Sequence, residues 1–407
     1  MSAKTNGKRT VINLGPFHPL QEEAEFFQLY VEGETVVDVD VRISYNHRGI
    51  EQLSTQKTFD QVPFVVERVC GICSASHPLA YIRAVEDICG CTVPERAEYL
   101  RTIVKELERI HSHMLWLGLA GHFIGYNTVW MWVWKYREPV LETLERATGS
   151  RIHYANAKIG GVRRDMDDEA LRAIDKAMDD LRGPMEMLTN AVLDDPVIHA
   201  RLKDVGILTL EDARKWCVTG PTARGSGWAI DARADDPYGA YDRVQWQVRT
   251  RPEGDVFAKT VVRCLETLDA LDIIKQCVRD MPGGPIDAGV EHVPAGEGCG
   301  RVEAPRGEAF HYVRSDGSNK PVRHKIRAPS YVNVPSFKAS CIGQHIADVT
   351  ITLASVDPCY SCTERFATAR DATTGRHVMT FADMVRMSQE RTRALQKEMG
   401  VEPLKLE

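Results

Sequence analysis

Four of the eleven cysteines stand in two C-x-x-C pairs, Cys70-Gly71-Ile72-Cys73 and Cys359-Tyr360-Ser361-Cys362. The two-residue spacer lets both thiolates of a pair converge on one metal atom or cluster. Soft sulfur donors select zinc, iron or nickel over magnesium or calcium. On spacing alone three chemistries stay open: a structural four-cysteine zinc site, a thioredoxin-like redox pair, or a redox metal centre. Zinc ribbons keep their pairs within about 15–20 residues, whereas most of this chain lies between the two. The βαβ setting of a thioredoxin motif is missing. Cys89, Cys91, Cys217, Cys264, Cys277, Cys299 and Cys341 read as small buried hydrophobes.

The elements between the pairs must fold back to unite them. FFQLYVEGETVVDVDVRI alternates on either side of Glu32-Gly33-Glu34, a hairpin signal. From Pro94 the period becomes helical, over Glu95–Leu117, Val129–Ala147 and Met166–Val192, with a kink expected at Gly183-Pro184. A short helix is expected over Leu210–Cys217, and a long helical region between Tyr238 and Val278, broken near Pro252-Glu253-Gly254. After Met281 the texture turns Gly- and Pro-rich, with a hairpin around Ser315–Asn319. A charged amphipathic helix follows over Phe381–Glu398. These patterns predict an α+β chain, one large domain with a long buried helical bundle and small β-containing lobes at both ends. Its parts are a β-rich lobe (1–60), a helical core (61–280), an irregular or β lobe carrying the second pair (281–365) and a tail with a helix (366–407).

The 407 residues include 51 basic and 57 acidic side chains, a net charge of −6. No basic excess exists to neutralise phosphates, which excludes a general nucleic-acid binder. A hydrophobic content of 43% with 27% charged residues suits a globular fold. Gly15, Pro16 and His18 interrupt any apolar run of signal-peptide length, so reduced thiols are expected. Met114–Trp134 carries no Asp, Glu, Lys or Arg, yet His122, Tyr126, Asn127 and Thr128 fall in its middle. Two buried helices joined near Tyr126–Asn127 explain it better than a membrane span.

The flanks of the two pairs narrow the chemistry. Arg68-Val69-Cys70-Gly71-Ile72-Cys73 followed by His77, and Asp357-Pro358-Cys359-Tyr360-Ser361-Cys362, resemble the two signatures of the [NiFe]-hydrogenase large subunit. Further matches are GPFHP at Gly15–Pro19, HRGIE at His47–Glu51, ERIHSH at Glu108–His113, IGGVRRD at Ile159–Asp165, GPTARGSG at Gly220–Gly227 and EAPRGE at Glu303–Glu308. These words resemble the membrane-bound, energy-converting (group 4) hydrogenases and the related quinone-site subunit of respiratory complex I. That subunit lacks both C-x-x-C pairs, so the thiols here favour a metal-loaded hydrogenase.

The resemblance implies a nickel–iron centre whose iron carries CO and cyanide. Cys70 and Cys359 would be terminal nickel ligands and Cys73 and Cys362 bridges, with Cys359 the first proton acceptor. It implies that Glu23 relays protons, in preference to its neighbour Glu22, and that Arg306 overhangs the open metal position with Asp357 orienting it. His77 would donate to a bridging thiolate. His18 reads as structural or proton-linked, and His111 and His113 as packed. Glu51 matches a ligand of a second, magnesium-type ion, but Arg365 stands where the family's histidine would complete that site, and a guanidinium cannot ligate a cation. The implied partners are an iron–sulfur small subunit with a [4Fe–4S] cluster, further hydrophilic and membrane subunits, and ferredoxin or another redox donor. The expected location is peripheral, on the cytoplasmic side of a membrane. Many relatives lose a C-terminal extension after nickel insertion. Here the chain continues past Arg365, so it is either unprocessed or a precursor, which mass spectrometry would decide.

Overall fold

The computed structural model describes residues 9–19, 21–363 and 369–400. It divides into two compact units, Met1–Glu364 and Arg365–Glu407. The chain mixes helix and sheet. Strands β1 (Thr10–Leu14), β2 (Phe26–Glu32) and β3 (Thr35–Arg42) form an antiparallel sheet in the order β1-β2-β3, turning at Gly33-Glu34 as expected. Phe27, Leu29 and Val31 alternate inward from β2, as a half-buried strand requires.

The principal helices are α1 (Ser76–Cys89), α2 (Glu95–Phe123), α3 (Asn127–Thr148), α4 (Asp168–Asp194) and α5 (Val256–Arg279). α2 packs against α3 and α5, and α5 against α4. α2 is buried on every side from Tyr99 to Trp116. Its charged residues therefore form no solvated face. Arg101 pairs with Glu86 at 2.6 Å and Arg109 with Glu106 at 3.0 Å inside the core. The break between α2 and α3 falls at Ile124–Tyr126, and no helix among the described residues is long and apolar enough to cross a membrane. α4 continues unbroken through Pro184, which forfeits a backbone hydrogen bond and crowds the preceding turn.

Helix was expected from Tyr238, but α5 starts only at Val256, where Asp255 caps it by accepting from the Ala258 N–H at 2.7 Å. Residues 238–255 are turns and bends instead. Tyr238, Tyr241 and Val244 mimic helical spacing, yet Gly239 and Gly254 are left-handed (φ 60° and 75°), a conformation that ends helices.

A second antiparallel sheet joins β4 (Ala295–Ala304), β5 (Gly307–Asp316) and β6 (Arg323–Arg327). Gly296, Gly298 and Gly300 occupy one face of β4 by the two-residue period, and that face lies on α1. A Cβ at Gly298 would sit 2.1 Å from the Ala84 carbonyl oxygen and one at Gly300 2.1 Å from that of Ala80. Only glycine permits this approach. The stretch expected to be irregular or β also holds helices α6 (Pro329–Cys341) and α7 (Val349–Ser355). In the second unit, the strands Ala369–Arg370 and His377–Met379 pair, and α8 (Phe381–Met399) starts at a capping box of Thr380 and Asp383.

All eleven cysteines are free. Of those read as core, Cys264, Cys277 and Cys341 are buried and Cys89 and Cys91 half-buried, whereas Cys217 and Cys299 are exposed. Cys217 closes a tight turn at φ 53°, and Cys299 lies between the inward glycines on the outward face of β4.

Candidate metal centre

The two C-x-x-C pairs meet. Cys359 Sγ lies 3.2 Å from Cys70 Sγ and 2.9 Å from Cys362 Sγ, and these three sulfurs all lie within 4.8 Å of one another. Cys73 stands beside them, its N–H donating to Cys70 Sγ at 3.3 Å. The Cys70 thiol is pulled well below the usual thiol range by hydrogen bonds from Cys359, Cys362 and Cys73. Cys73 is pushed well up by its bond to Cys70 and by burial. Cys362 lowers Cys359, but the bond to Cys70 and burial outweigh it; burial also raises Cys362 itself. Burial and the mutual hydrogen bonds thus oppose loss of the protons from three of the four thiols. A soft divalent or low-valent metal, which displaces thiol protons, would remove that conflict, and the donor set fits such a group.

The first pair is pinned by α2. Cys70 follows the turn Glu67–Val69 in extended conformation, and α1 starts three residues after Cys73. The buried Glu108, from ERIHSH, accepts from the Ala75 N–H, the Ser76 hydroxyl and, at 3.3 Å, the Ser76 N–H. It therefore caps α1 beside the thiols, with Lys105 at 2.8 Å as its counter-charge.

The second pair hangs on α6. Ser330 Oγ accepts from the Cys359 N–H at 3.0 Å. One turn on, Asn333 accepts from the Thr219 N–H at 2.9 Å and donates to the Arg306 carbonyl oxygen at 3.1 Å. Arg306 is buried. Its Nη2 meets Asp357 Oδ1 at 2.8 Å, its Nε donates to the Asp357 carbonyl at 2.9 Å, and Nη1 reaches Cys73 Sγ at 3.7 Å. Burial alone would lower the guanidinium; Asp357 and the sulfurs overcome it and hold Arg306 charged. Asp357 sits at φ 51°, a strained conformation for a non-glycine residue. Its Oδ2 is buried with no hydrogen-bond partner among the described residues. GPTARGSG and EAPRGE touch back to back. A Cβ at Gly220 would lie 2.4 Å from the Arg306 carbonyl oxygen, and one at Gly307 2.4 Å from Thr219 Oγ1.

Arg48, from HRGIE, joins the two pairs. It donates to the carbonyls of Arg68 at 2.7 Å, Val69 at 3.2 Å and Ser361 at 3.0 Å. Its neighbour Glu51 is not at the sulfurs. It pairs with Lys325 and accepts from the Ile326 N–H at 2.9 Å, so an ammonium already meets the charge a second metal ion would meet. Arg365 lies outside the described residues. Glu23 accepts from the N–H and hydroxyl of Ser361, both at 2.5 Å, which holds its carboxylate inside the second pair. Glu22 lines a cleft with Trp116, Asp357, Pro358 and Tyr360. Burial raises its carboxyl to about 7 against the pull of Arg306, with Asp357, Glu23 and Cys70 adding. Water at the exposed side of Glu22 screens part of that shift. His77 is buried, its Nε2 3.7 Å from Cys362 Sγ. His111 and His113 are packed, against Arg137 and Tyr154 and against Glu266 respectively.

Thus Cys70, Cys73, Cys359, Cys362, Glu23, His77, Arg306 and Asp357 come together, and Glu51 does not. The positioning side chains Arg48, Glu108, Ser330 and Asn333 were not foreseen. Arg48 and Glu108 sit in recognisable motifs, but their roles are long-range contacts to backbone, which spacing does not encode.

Two family models match: nickel-dependent hydrogenase over residues 48–119, and the respiratory-chain NADH dehydrogenase 49 kDa subunit over residues 124–292 and 286–365. Membrane-bound hydrogenase subunit alpha of Pyrococcus furiosus is 39% identical, over 96% of this chain and 95% of its own length. The chain belongs to the [NiFe]-hydrogenase large-subunit family. Within this family it is of the membrane-bound group 4 type, related to the complex I subunit. The carbon monoxide-induced hydrogenase of Rhodospirillum rubrum is 40% identical, covering 87% of this chain and 99% of that protein. A chain of the membrane-bound sulfane sulfur reductase, an archaeal respiratory membrane complex, superposes with a TM-score of 0.83 at 30% identity, over 88% of this chain and 98% of its own. Relatives of this large-subunit family work in multi-subunit membrane complexes.

Proposed function

We propose that this chain is the catalytic subunit of a membrane-associated [NiFe]-hydrogenase that interconverts 2H⁺ and two electrons with H2. The observation that carries this reading is the convergence of thiols from both ends of the chain beside a charged, buried Arg306. Cys70, Cys73, Cys359 and Cys362 would together hold a nickel–iron group whose iron would carry CO and cyanide. Such a centre supplies the electron-rich, open-coordinate metals needed to split H2 heterolytically.

The residues around it then have definable work. Cys359 Sγ takes the proton. The Glu23 carboxylate, anchored on Ser361 between the two cysteines, carries it outward. Arg306 offers N–H groups over the site while Asp357 holds the guanidinium plane, and His77 faces Cys362 Sγ. Glu51, the match to a ligand of a second, magnesium-type ion, is paired with Lys325. Electrons pass through an iron–sulfur partner subunit with a [4Fe–4S] cluster, exchanged with ferredoxin or another carrier. Attachment to the cytoplasmic face of a membrane comes from partner subunits.

Elemental analysis of the purified complex should give nickel and iron near one each, with infrared bands from CO and cyanide; zinc alone would sink the reading. Glu23→Gln should nearly abolish H2 turnover at normal nickel content, and undiminished turnover removes Glu23 from the proton path. A second reading, sulfane-sulfur reduction, is favoured by the likeness to the sulfur reductase chain. Sulfide release from polysulfide without H2 evolution would select it.

A further inference from the structure

Helix α1 and strands β5 and β6 each contribute one fully buried histidine to a single row. His77 Nδ1 lies 3.0 Å from His311 Nε2, and His311 Nδ1 lies 2.9 Å from His324 Nε2. The strand register builds the row: His311 stands opposite Ile326 and His324 opposite Val313. The two histidines are thus diagonal neighbours on the inward face. At the head, His77 Nε2 is 3.7 Å from Cys362 Sγ. At the far end, His324 Nδ1 has no hydrogen-bond partner among the described residues. Tyr81 packs on the His324 ring at 5.1 Å, but its hydroxyl donates to the Phe59 carbonyl oxygen instead. Burial favours the neutral form of all three imidazoles, lowering His77 to about 4 and His324 to about 3 and holding His311 well below its usual value.

A neutral imidazole has one N–H and one acceptor nitrogen, so the direction of one bond in the row sets the others. If the protons sit on Nε2, His324 donates to His311, His311 donates to His77, and His77 donates to Cys362 Sγ. All three N–H groups are then used, and the unpartnered atom at the far end is a bare lone pair. If the protons sit on Nδ1, the His324 N–H is buried without an acceptor. The His77 lone pair then faces the lone pairs of a deprotonated sulfur. The first order wins on both counts, because an orphaned buried donor and a repulsive contact both cost free energy.

We propose that His311 and His324 are positioning residues that lock His77 in the tautomer directing Nε2–H at the sulfur of Cys362. This rests on the metal-centre reading above, since only a sulfur that has lost its proton demands a donor. The row makes His77 a one-directional donor to the Cys362 sulfur, set by residues two layers away.

Nitrogen-15 NMR of the metal-loaded, histidine-labelled chain tests it, with nickel, iron and zinc measured on the same sample. Three neutral imidazoles protonated on Nε2 are expected, assigned by their loss in single variants. A proton on Nδ1 of any of the three overturns the proposal. His324→Glu, whose carboxylate can accept from His311 Nδ1, should move the protons of His311 and His77 to Nδ1, and His324→Gln, whose amide can donate to His311 Nδ1, should keep them on Nε2. Protons that stay on Nε2 of both His311 and His77 in a folded His324→Glu chain also overturn it. Should that variant fail to fold, the nitrogen shifts of the unmodified chain decide alone. The metal analysis scores the hydrogenase reading separately: zinc without nickel or iron removes that reading, while an Nε2-protonated row over zinc-held thiolates keeps this one.

Discussion

At Cys73 stands Arg306, a permanent cation paired with Asp357; at Cys362 stands His77, a neutral imidazole heading a row of histidines. Both bring a nitrogen to a sulfur, at the same 3.7 Å. The cation loses its hydration on burial, and the fold answers with a counter-anion, a carbonyl, the Asn333 clamp and two glycines in contact. The neutral donor escapes most of that cost but has no inherent direction, so the fold supplies direction through neighbours. Charge requires holding in place, whereas neutrality requires ordering.

Breaking the charged side should have the largest effect. Arg306→Met strands Asp357 in the core, and removing one partner of a buried pair costs about 3–5 kcal/mol. Urea unfolding reads this, and adding Asp357→Asn should recover most of the loss. An unchanged midpoint in Arg306→Met would mean that the pair is not held as described. Gly307→Ala strains the same side without touching its charge. At φ 127°, with a Cβ 2.4 Å from Thr219 Oγ1, it should cost roughly 1–3 kcal/mol. On the neutral side, His311→Phe leaves polar atoms of His77 and His324 unpaired, for about 1–3 kcal/mol. A loss equal to that of Arg306→Met would reverse the comparison.

The smallest effect lies at Glu22. Its carboxyl is raised from 4.5 to about 7, so between those values the native state binds more protons than the unfolded chain, and stability falls as pH rises. Glu22→Gln removes that fall. Relative to the parent it should gain stability at pH 8 compared with pH 5; urea midpoints that differ equally at both pH values would count against a raised carboxyl there.

Much of this arrangement was legible from the chain. The two C-x-x-C words, Asp357 ahead of the second and Pro305-Arg306-Gly307 are local patterns, and the structure draws them together. What was not legible has a common physical cause. Arg48, Ser330 and Asn333 act on backbone groups far away in sequence, so neither periodicity nor spacing marks them. The charges of α2 resemble a solvated face because a side chain paired in the core carries the same letters as one in water. His311 and His324 occupy ordinary inward positions of two strands, and only the register reveals that they adjoin. The turns after Tyr238 pass for helix in the sequence because aromatic residues three apart imitate one, while Gly239 and Gly254 rule it out.

Cys70 and Cys359 touch across 289 positions of chain. At roughly 5–20 residues per second, a growing polypeptide would carry the first pair for on the order of 15–60 s before the second exists. The early thiols spend most of that interval on an incomplete core, before Arg306, Ser330 and then the Arg48–Ser361 tie exist to enclose them. Manufacture therefore runs from an open cradle to a late seam, and the last stretch of the first unit to be made is the one that shuts the site.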